Sequence, residues 1–508
     1  MDRRTLRGMG MKHWETIQQH AMLGTARAPL TIADLPATIA GELSWTPIDA
    51  EEDFLRLAGV AWQYGQTGRL PSAISTVTSV AAPEEKPYSS SQAANELQSL
   101  VEDELYTLVR LWLEYCQAAG QLARPEILPA LLDLAIRRPE FRTMITTVAG
   151  NRGQWLMRLN PAWRIDTPAE DDTTVWQTGK PEARRALLAH IRQTDAPGAL
   201  VLLQSTWATE SAADKVAFLN ILQAQASDAD LPWLESLQEK GQKVTTAITN
   251  VLKHIPGSKI VTAYQDVLRQ AFVMRTGKAL LGMLNKTSVE IQEAVAIPAE
   301  IFTTGVEKLS SNKQITDQQY ILIQLVMAVP PVFWQTQLQQ ADARAVITLL
   351  QKEQHTALYL PALADAAVTF RDLTWVRTLL DHGDEVLIDS AIVLLLKALP
   401  VAERMTCAAR FLPRQPQAII ELLLEQDEPW DIALARAIIA YTAGEVYTYN
   451  RTFYRQAVHN IPVELLSYID TFTPAEEAKK PYWRTQANEL YRLVSWKQQL
   501  QKSFSQIN

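Results

Sequence analysis

Seven arginines fall between Arg124 and Arg164 (Arg124, Arg137, Arg138, Arg142, Arg152, Arg158 and Arg164), faced in the same stretch only by Glu126, Asp133 and Glu140. A local surplus of guanidinium groups on a chain of net charge −8 is the chemistry of recognition, because the planar fork meets a carboxylate or phosphate with paired hydrogen bonds. Arg137, Arg138, Arg142, Arg152, Arg158 and Arg164 are therefore a candidate docking face for an acidic protein partner or a phosphate. The competing expectation is local. Gly150 would end a helix in the left-handed conformation, and Arg152 would turn to an acidic neighbour.

Bond-making chemistry leaves fewer traces. Gly179-Lys180 and Gly277-Lys278 lack the upstream glycine and the following Ser or Thr of a phosphate loop. None of the seven histidines has another His or a Cys one helical turn away, the spacing a local metal site needs. Ser310-Ser-Asn-Lys313 has the S-x-x-K form without its S-D-N and K-T-G companions, and reads as a solvated turn. Cys116 and Cys407 lie in apolar helical stripes and read as core fillers. Two cysteines without paired spacing suit a reducing compartment. No catalytic residue, metal or cofactor is expected.

The elements that must carry the arginines are helical. Leu97, Val101, Leu105, Leu108, Trp112 and Cys116 step by three or four, an amphipathic stripe. Arg184–Leu203, Lys215–Leu237 and Lys243–Leu268 each read as a striped helix, a polar turn and a second striped helix. Their starts are 31 and 28 residues apart, a period typical of stacked helix pairs. Gly is scarce at 19 residues, against a β sandwich, while 14 Trp supply large rigid fillers for helix seams. Asp230-Leu-Pro-Trp233, Asp372-Leu-Thr-Trp375, Asp427-Glu-Pro-Trp430 and Asn160-Pro-Ala-Trp163 share one spacing. It predicts a helix start in which the Asp or Asn side chain accepts the Trp amide and the ring plugs the seam.

The expected fold is all-α. A helical N-terminal domain occupies 1–165, with a mobile loop over about 71–95 and helix resuming at Glu96. A HEAT-like helix-pair repeat array, an α-solenoid, follows over 175–472. Capping helices over 473–508 close it, and the acidic Asp166–Thr174 stretch marks the main boundary. No apolar run is long enough to span a bilayer, and the first residues lack the apolar core of a signal peptide. A cytoplasmic chain, monomeric on its own, is expected. The acidic balance argues against general nucleic-acid binding.

Leu23-Gly24-Thr25 with Arg27 and Pro29, Gly150-Asn-Arg-Gly153-Gln-Trp155-Leu156 with Asn160-Pro161-Ala-Trp163, Trp176 ahead of Arg184-Arg185, and the order Phe218, Trp233, Pro256-Gly257 resemble an uncharacterised bacterial domain-of-unknown-function family. The resemblance makes Gly24, Thr25, Gly150, Gly153, Trp155, Asn160 and Trp163 its structural motif. Family members are encoded beside a MoxR-type AAA+ ATPase, a von Willebrand factor A protein and a SWIM zinc-finger protein. That implies an accessory factor of such an ATPase. This chain has only Arg27 after the Gly24-Thr25 turn where members often carry two arginines, which speaks against an anion site there.

The leading expectation is a non-catalytic helical-repeat scaffold whose protein partner is the AAA+ ATPase or the von Willebrand A protein. The alternative is a HEAT-like protein that binds or processes nucleic acid, which needs Arg137, Arg138, Arg142, Arg152, Arg184 and Arg185 on one concave face. A hydrolase is the third reading and needs a carboxylate of raised pKa in a pocket.

Overall fold

The computed structural model describes residues 14–67, 80–163, 172–278, 285–292 and 294–505, so Arg164 and residues 71–79 of the expected loop lie outside the described residues. The chain falls into two units, Met1–Ala81 and Ala82–Asn508. Helix dominates both, and the fold is all-α.

In the smaller unit, α1 (residues 14–23) stops at Gly24, whose φ of +85° lets the chain reverse. The turn is held by Arg27 and Ala28 amides on Gly24 O, and His20 Nδ1 donates to Ala28 O. Helix α2 (Ala50–Thr67) starts on Asp49, whose carboxylate accepts the Glu51 and Glu52 amides at 3.0 and 2.9 Å. Ile17, Leu30, Leu35 and Leu57 form this unit's core.

The larger unit begins with a segment that is tied down, contrary to the loop expected over about 71–95. Ser89 N and Leu122 O, and Leu122 N and Pro87 O, bond at 2.8 Å. Ser90 then caps α3 (Ser91–Glu102) by accepting the Ala93 amide, so helix starts before Glu96. Helices α4 (Tyr106–Ala118), α5 (Leu128–Arg137) and α6 (Arg142–Leu159) follow. Their buried residues, from Ala93 to Ala149, belong to one core with residues of 261–500. Accordingly the unit runs through the boundary drawn at residue 165.

Between these parts, α7 (Asp172–Thr178), α8 (Pro181–Thr194), α9 (Ala196–Thr206), α10 (Ala212–Gln223) and α11 (Gln242–Leu252) enclose a second core, from Trp176 to Ile255. Helix α8 packs on both α9 and α10, and α10 on α11. Two successive pairs carry the same polar construction. Arg184 lies over the buried Trp176 ring and grips Glu210 at 3.0 and 2.5 Å. One pair on, Lys215 lies over Trp207 and meets Glu239 at 2.8 Å, and Trp207 Nε1 donates to the same carboxylate. Both Trp176 to Trp207 and Arg184 to Lys215 are 31 residues.

Helix α12 (Lys259–Ala271) runs into an antiparallel hairpin, β1 (Phe272–Lys278) with β2 (Asn285–Ile291), registered Phe272 to Ile291 and Lys278 to Asn285. Helical spacing gave no warning of it. The signal is the Thr- and Val-containing alternation of its two short arms. Beyond it, α13 (Asp317–Met327), α14 (Ala343–Leu350), α15 (Leu360–Thr369), α16 (Leu373–His382), α17 (Ile392–Ala398), α18 (Val401–Phe411), α19 (Pro416–Leu424) and α20 (Ile432–Gly444) pack in two rows. One row runs α13, α15, α17, α19; in the other, α14 meets α16 and α18 meets α20. Arg377–Glu403, Glu385–Arg410, Asp389–Arg414 and Lys397–Glu425 cross successive pairs, but these half-exposed bridges contribute little each.

After α21 (Arg451–Ala457), the final helix α22 (Lys480–Ser505) does more than cap the preceding rows, the role expected for 473–508. It packs on α21, α4 and α3. Phe504 meets Trp112 edge-on at 5.3 Å, while Gln499 and Ser503 both donate to buried Glu96 at 2.9 Å.

Candidate interaction site

The predicted arginine face is built on α5 and α6, and the shape of α6 decides what it presents. Gly150 interrupts that helix at φ 60°, ψ −160°. The break frees the Asn151 and Arg152 amides, and Glu84 takes both, at 2.9 and 2.7 Å. Asn151 Nδ2 also donates to Pro83 O at 2.7 Å. A side chain at Gly150 would place its Cβ 2.5 Å from Glu84 Oε2, so both the dihedral and the approach of Glu84 require glycine. Gly153 is buried, and a Cβ there would collide with that of Ala149. Downstream, Asn160 Oδ1 accepts the Ala162 amide, and Trp163 Nε1 donates to Asp133 at 2.6 Å. Trp155 and Thr25 are half-buried. These motif residues shape backbone and seams. Glu84 was invisible in the sequence, since nothing local marks a loop glutamate as the cap of a distant helix.

A family model described as a family of unknown function (DUF5691) matches residues 16–504. The chain belongs to that family. No curated protein and no solved structure matches it.

In this DUF5691 chain the arginines divide. Arg138 lies 4.0 Å over the Tyr106 ring and 3.4 Å from Glu140, Arg142 Nε donates to Ala135 O, and Arg124 pairs with Glu126. Arg137, Arg152 and Arg158 are exposed. Backbone hydrogen bonding at Glu126, then Arg124 and more weakly the charge of Arg152, hold that carboxyl below its ordinary value. Six helical steps turn a side chain by about 600°, which leaves Arg152 and Arg158 about 120° apart on α6. Arg184 and Arg185 are spent on Glu210 and Asp214.

The Asp-x-x-Trp spacing has one meaning at Asp372 and others elsewhere. Asp372 accepts the Trp375 amide at 3.2 Å, as the cap predicts. Asp230 instead meets Arg192 inside the second core, and Asp427 meets Arg110 at 2.8 and 2.5 Å, leaving the Trp430 amide to Asn460 O. A charged partner outcompetes a local amide wherever the fold delivers one. The Trp375 and Trp430 rings are buried, and Trp233 packs edge-on against Trp207 at 5.2 Å.

A shallow depression of about 270 Å³ lies beside α14 and α16, lined by Asp342, Arg344, Thr374, Arg377, Asp381 and His382 among others. Asp342 is engaged with the Ala345 amide and Arg377 with Glu403. Burial raises the Asp365 carboxyl on α15, which is outside that depression. Among the described residues no three His, Cys, Asp or Glu side chains gather as a metal site, and no helix is long and apolar enough to cross a membrane.

Proposed function

We propose that this chain is a non-catalytic scaffold built on a HEAT-like array of helix pairs. The observation that carries the reading is the repeated Trp176–Arg184–Glu210 and Trp207–Lys215–Glu239 construction, one helix pair apart. Equivalent seams made by equivalent residues are what a repeat array produces, and such arrays offer long surfaces to protein partners. The partner class is the one the resemblance implies, a MoxR-type AAA+ ATPase or the von Willebrand A protein encoded beside it, met in the cytoplasm. Arg137, Arg152 and Arg158, left exposed after their neighbours are engaged internally, are the contact we assign to an acidic surface. The nucleic-acid alternative is weakened, because Arg138, Arg142, Arg184 and Arg185 are held by groups of this chain.

The test is binding of the purified chain to purified ATPase and von Willebrand A protein, with and without ATP, followed by cross-linking and mass spectrometry. Binding of either, with cross-links concentrated near α5 and α6, is expected. Replacing Arg137, Arg152 and Arg158 by Glu should weaken it at least about tenfold through slower association, with unchanged thermal stability. Binding to neither protein sinks the partner assignment, and an unfolded triple variant assigns the arginines a structural role.

A further inference from the structure

The hairpin β1–β2 is the one sheet among the described residues, and its two outer edges are not alike. Its register sets Phe272 opposite Ile291 and Met274 opposite Val289. The Gln292 amide donates to Ala271 O at 2.8 Å, which fixes the phase of the bonding between the strands. Val273, Arg275 and Gly277 thereby turn their amides and carbonyls towards β2. Phe272, Met274 and Thr276 turn theirs outward, as Thr287, Val289 and Ile291 do on the other strand. Two side chains agree with that phase. Gln337 Nε2 donates to the outward Phe272 O at 2.7 Å, and His355 Nε2 donates to the outward Val289 O at 3.1 Å.

The β2 edge is covered. Helix α14 and the short helix Gln354–Ala357 pack along that strand, and Val289 is buried. On β1 the cover ends at the first residue. Beyond the Gln337 bond to Phe272, the Met274 and Thr276 amides and carbonyls meet no partner among the described residues. The ribbon is held by one face only, since Phe272 is buried and Met274 and Ile291 pack against the same core. Val273 and Arg275 are exposed on the other face. A ribbon of two strands is marginal by itself and gains from a third.

Charge decides what kind of strand fits. The two strands carry Arg275, Lys278 and Lys286 against Glu290 alone, and Glu290 pairs with Arg275. Surplus positive charge on an open edge resists pairing with a second copy of the same edge. Opposite charges on neighbouring strands attract, so an acidic strand is admitted where an identical one is not.

We propose that the open edge of β1 receives an extended, acidic segment of a protein partner as a third strand. The Met274 and Thr276 amides and carbonyls supply the ladder, so main-chain bonds carry the affinity. Alternate side chains of the segment fall on the two faces of the ribbon. Those beside Met274 continue the apolar face; those beside Arg275 meet solvent and a guanidinium, and are acidic. This surface uses none of the arginines of α5 and α6 and does not rest on the partner proposed for them.

The test uses the full chain and a fluorescein-labelled eight-residue peptide in which Glu and Val alternate. Saturable binding is expected, with slowed hydrogen exchange at the Met274 and Thr276 amides. Replacing every Glu of the peptide by Lys should weaken binding about tenfold or more, because like charges then lie side by side. Two further peptides carry N-methyl groups on all Val or on all Glu. Only one of those sets points its amides at β1, so one methylated peptide should lose about tenfold or more and the other should bind like the parent. Thr276→Pro removes an outward amide and no bond within the hairpin, so it should block the peptide at unchanged Tm. If that variant unfolds at lower temperature, the two methylated peptides decide. No saturable binding of the Glu–Val peptide overturns the proposal, as do equal effects of the two methylations. Sedimentation of the parent as a dimer that Thr276→Pro dissolves overturns it too, because a second copy would then hold the edge.

Discussion

Asp230 sits at the start of a helix with a tryptophan three residues on, and its carboxylate nevertheless turns inward to Arg192. The pair is almost wholly buried, at 3% and 1% side-chain exposure, with bonds of 3.1 and 2.6 Å. Arg192 also donates to two carbonyls, and the Ser227 amide donates to Asp230. A buried pair of this kind holds its geometry more firmly than it adds net stability, because desolvation offsets most of the attraction. Asp230→Ala leaves a buried guanidinium without its counter-charge and should destabilise the chain by about 3–5 kcal/mol. The double variant Arg192→Met with Asp230→Leu should recover most of that loss in urea unfolding. If the single and double variants fall equally, the polar pair contributes more than its geometry implies. The sequence marked Asp230 by its spacing, yet that spacing could not reveal Arg192 as the competitor, since the two meet only when α8 packs over the following loop.

Between elements, Lys497 gives the clearest case. It projects from α22 into the end of α21 and donates to the carbonyls of Val458, His459 and Ile461, at 3.1, 2.5 and 2.8 Å. These are groups a helix end leaves without partners, so one side chain closes α21 and fixes α22 to it. Burial pulls the Lys497 ammonium down to about 8, with Glu464 and Glu114 opposing. The sign follows from linkage. The unfolded chain keeps its proton to higher pH than the folded one, so this group's contribution to stability rises as pH climbs from about 8 towards the ordinary lysine range. Lys497→Met should abolish that alkaline gain in a pH series of thermal unfolding, measured as the difference from the parent. Its Tm near pH 7 should also fall, because three carbonyls lose their donor. A parallel pH dependence in the two proteins would show that Lys497 does not titrate in this range.

For the whole molecule, the decisive fact is that early and late helices share one core. Trp112 on α4 is closed by Phe504 of α22, Arg492 bonds Asp103, and Arg110 clasps Asp427. A fragment of residues 1–165 therefore lacks the surface that covers α3 and α4. It should show no cooperative unfolding transition and should bind a hydrophobic dye, whereas a chain of residues 82–508 should retain the transition of the larger unit. Cooperative unfolding of the 1–165 fragment would restore the early boundary. The sequence suggested that boundary because Asp166–Thr174 is acidic and poor in apolar residues. Composition marks where a chain can run outside a core, but not whether the helices on either side later rejoin one.

What the sequence alone determined is what depends on neighbours three and four residues apart. Apolar stripes specified the helices, the 31-residue step from Arg184 to Lys215 suggested helix pairs, and the scarcity of glycine went with an all-α fold. Tertiary structure decided everything that depends on which distant groups arrive. It gave Glu84 to the Gly150 break, divided the arginines between internal partners and solvent, and turned Asp230 inward to Arg192. The reason is physical. Helix formation is governed by backbone bonds and periodic burial within one segment, whereas a charge's role is set by its nearest opposite charge and its access to water. Both of those are properties of packed segments that the chain's order does not contain.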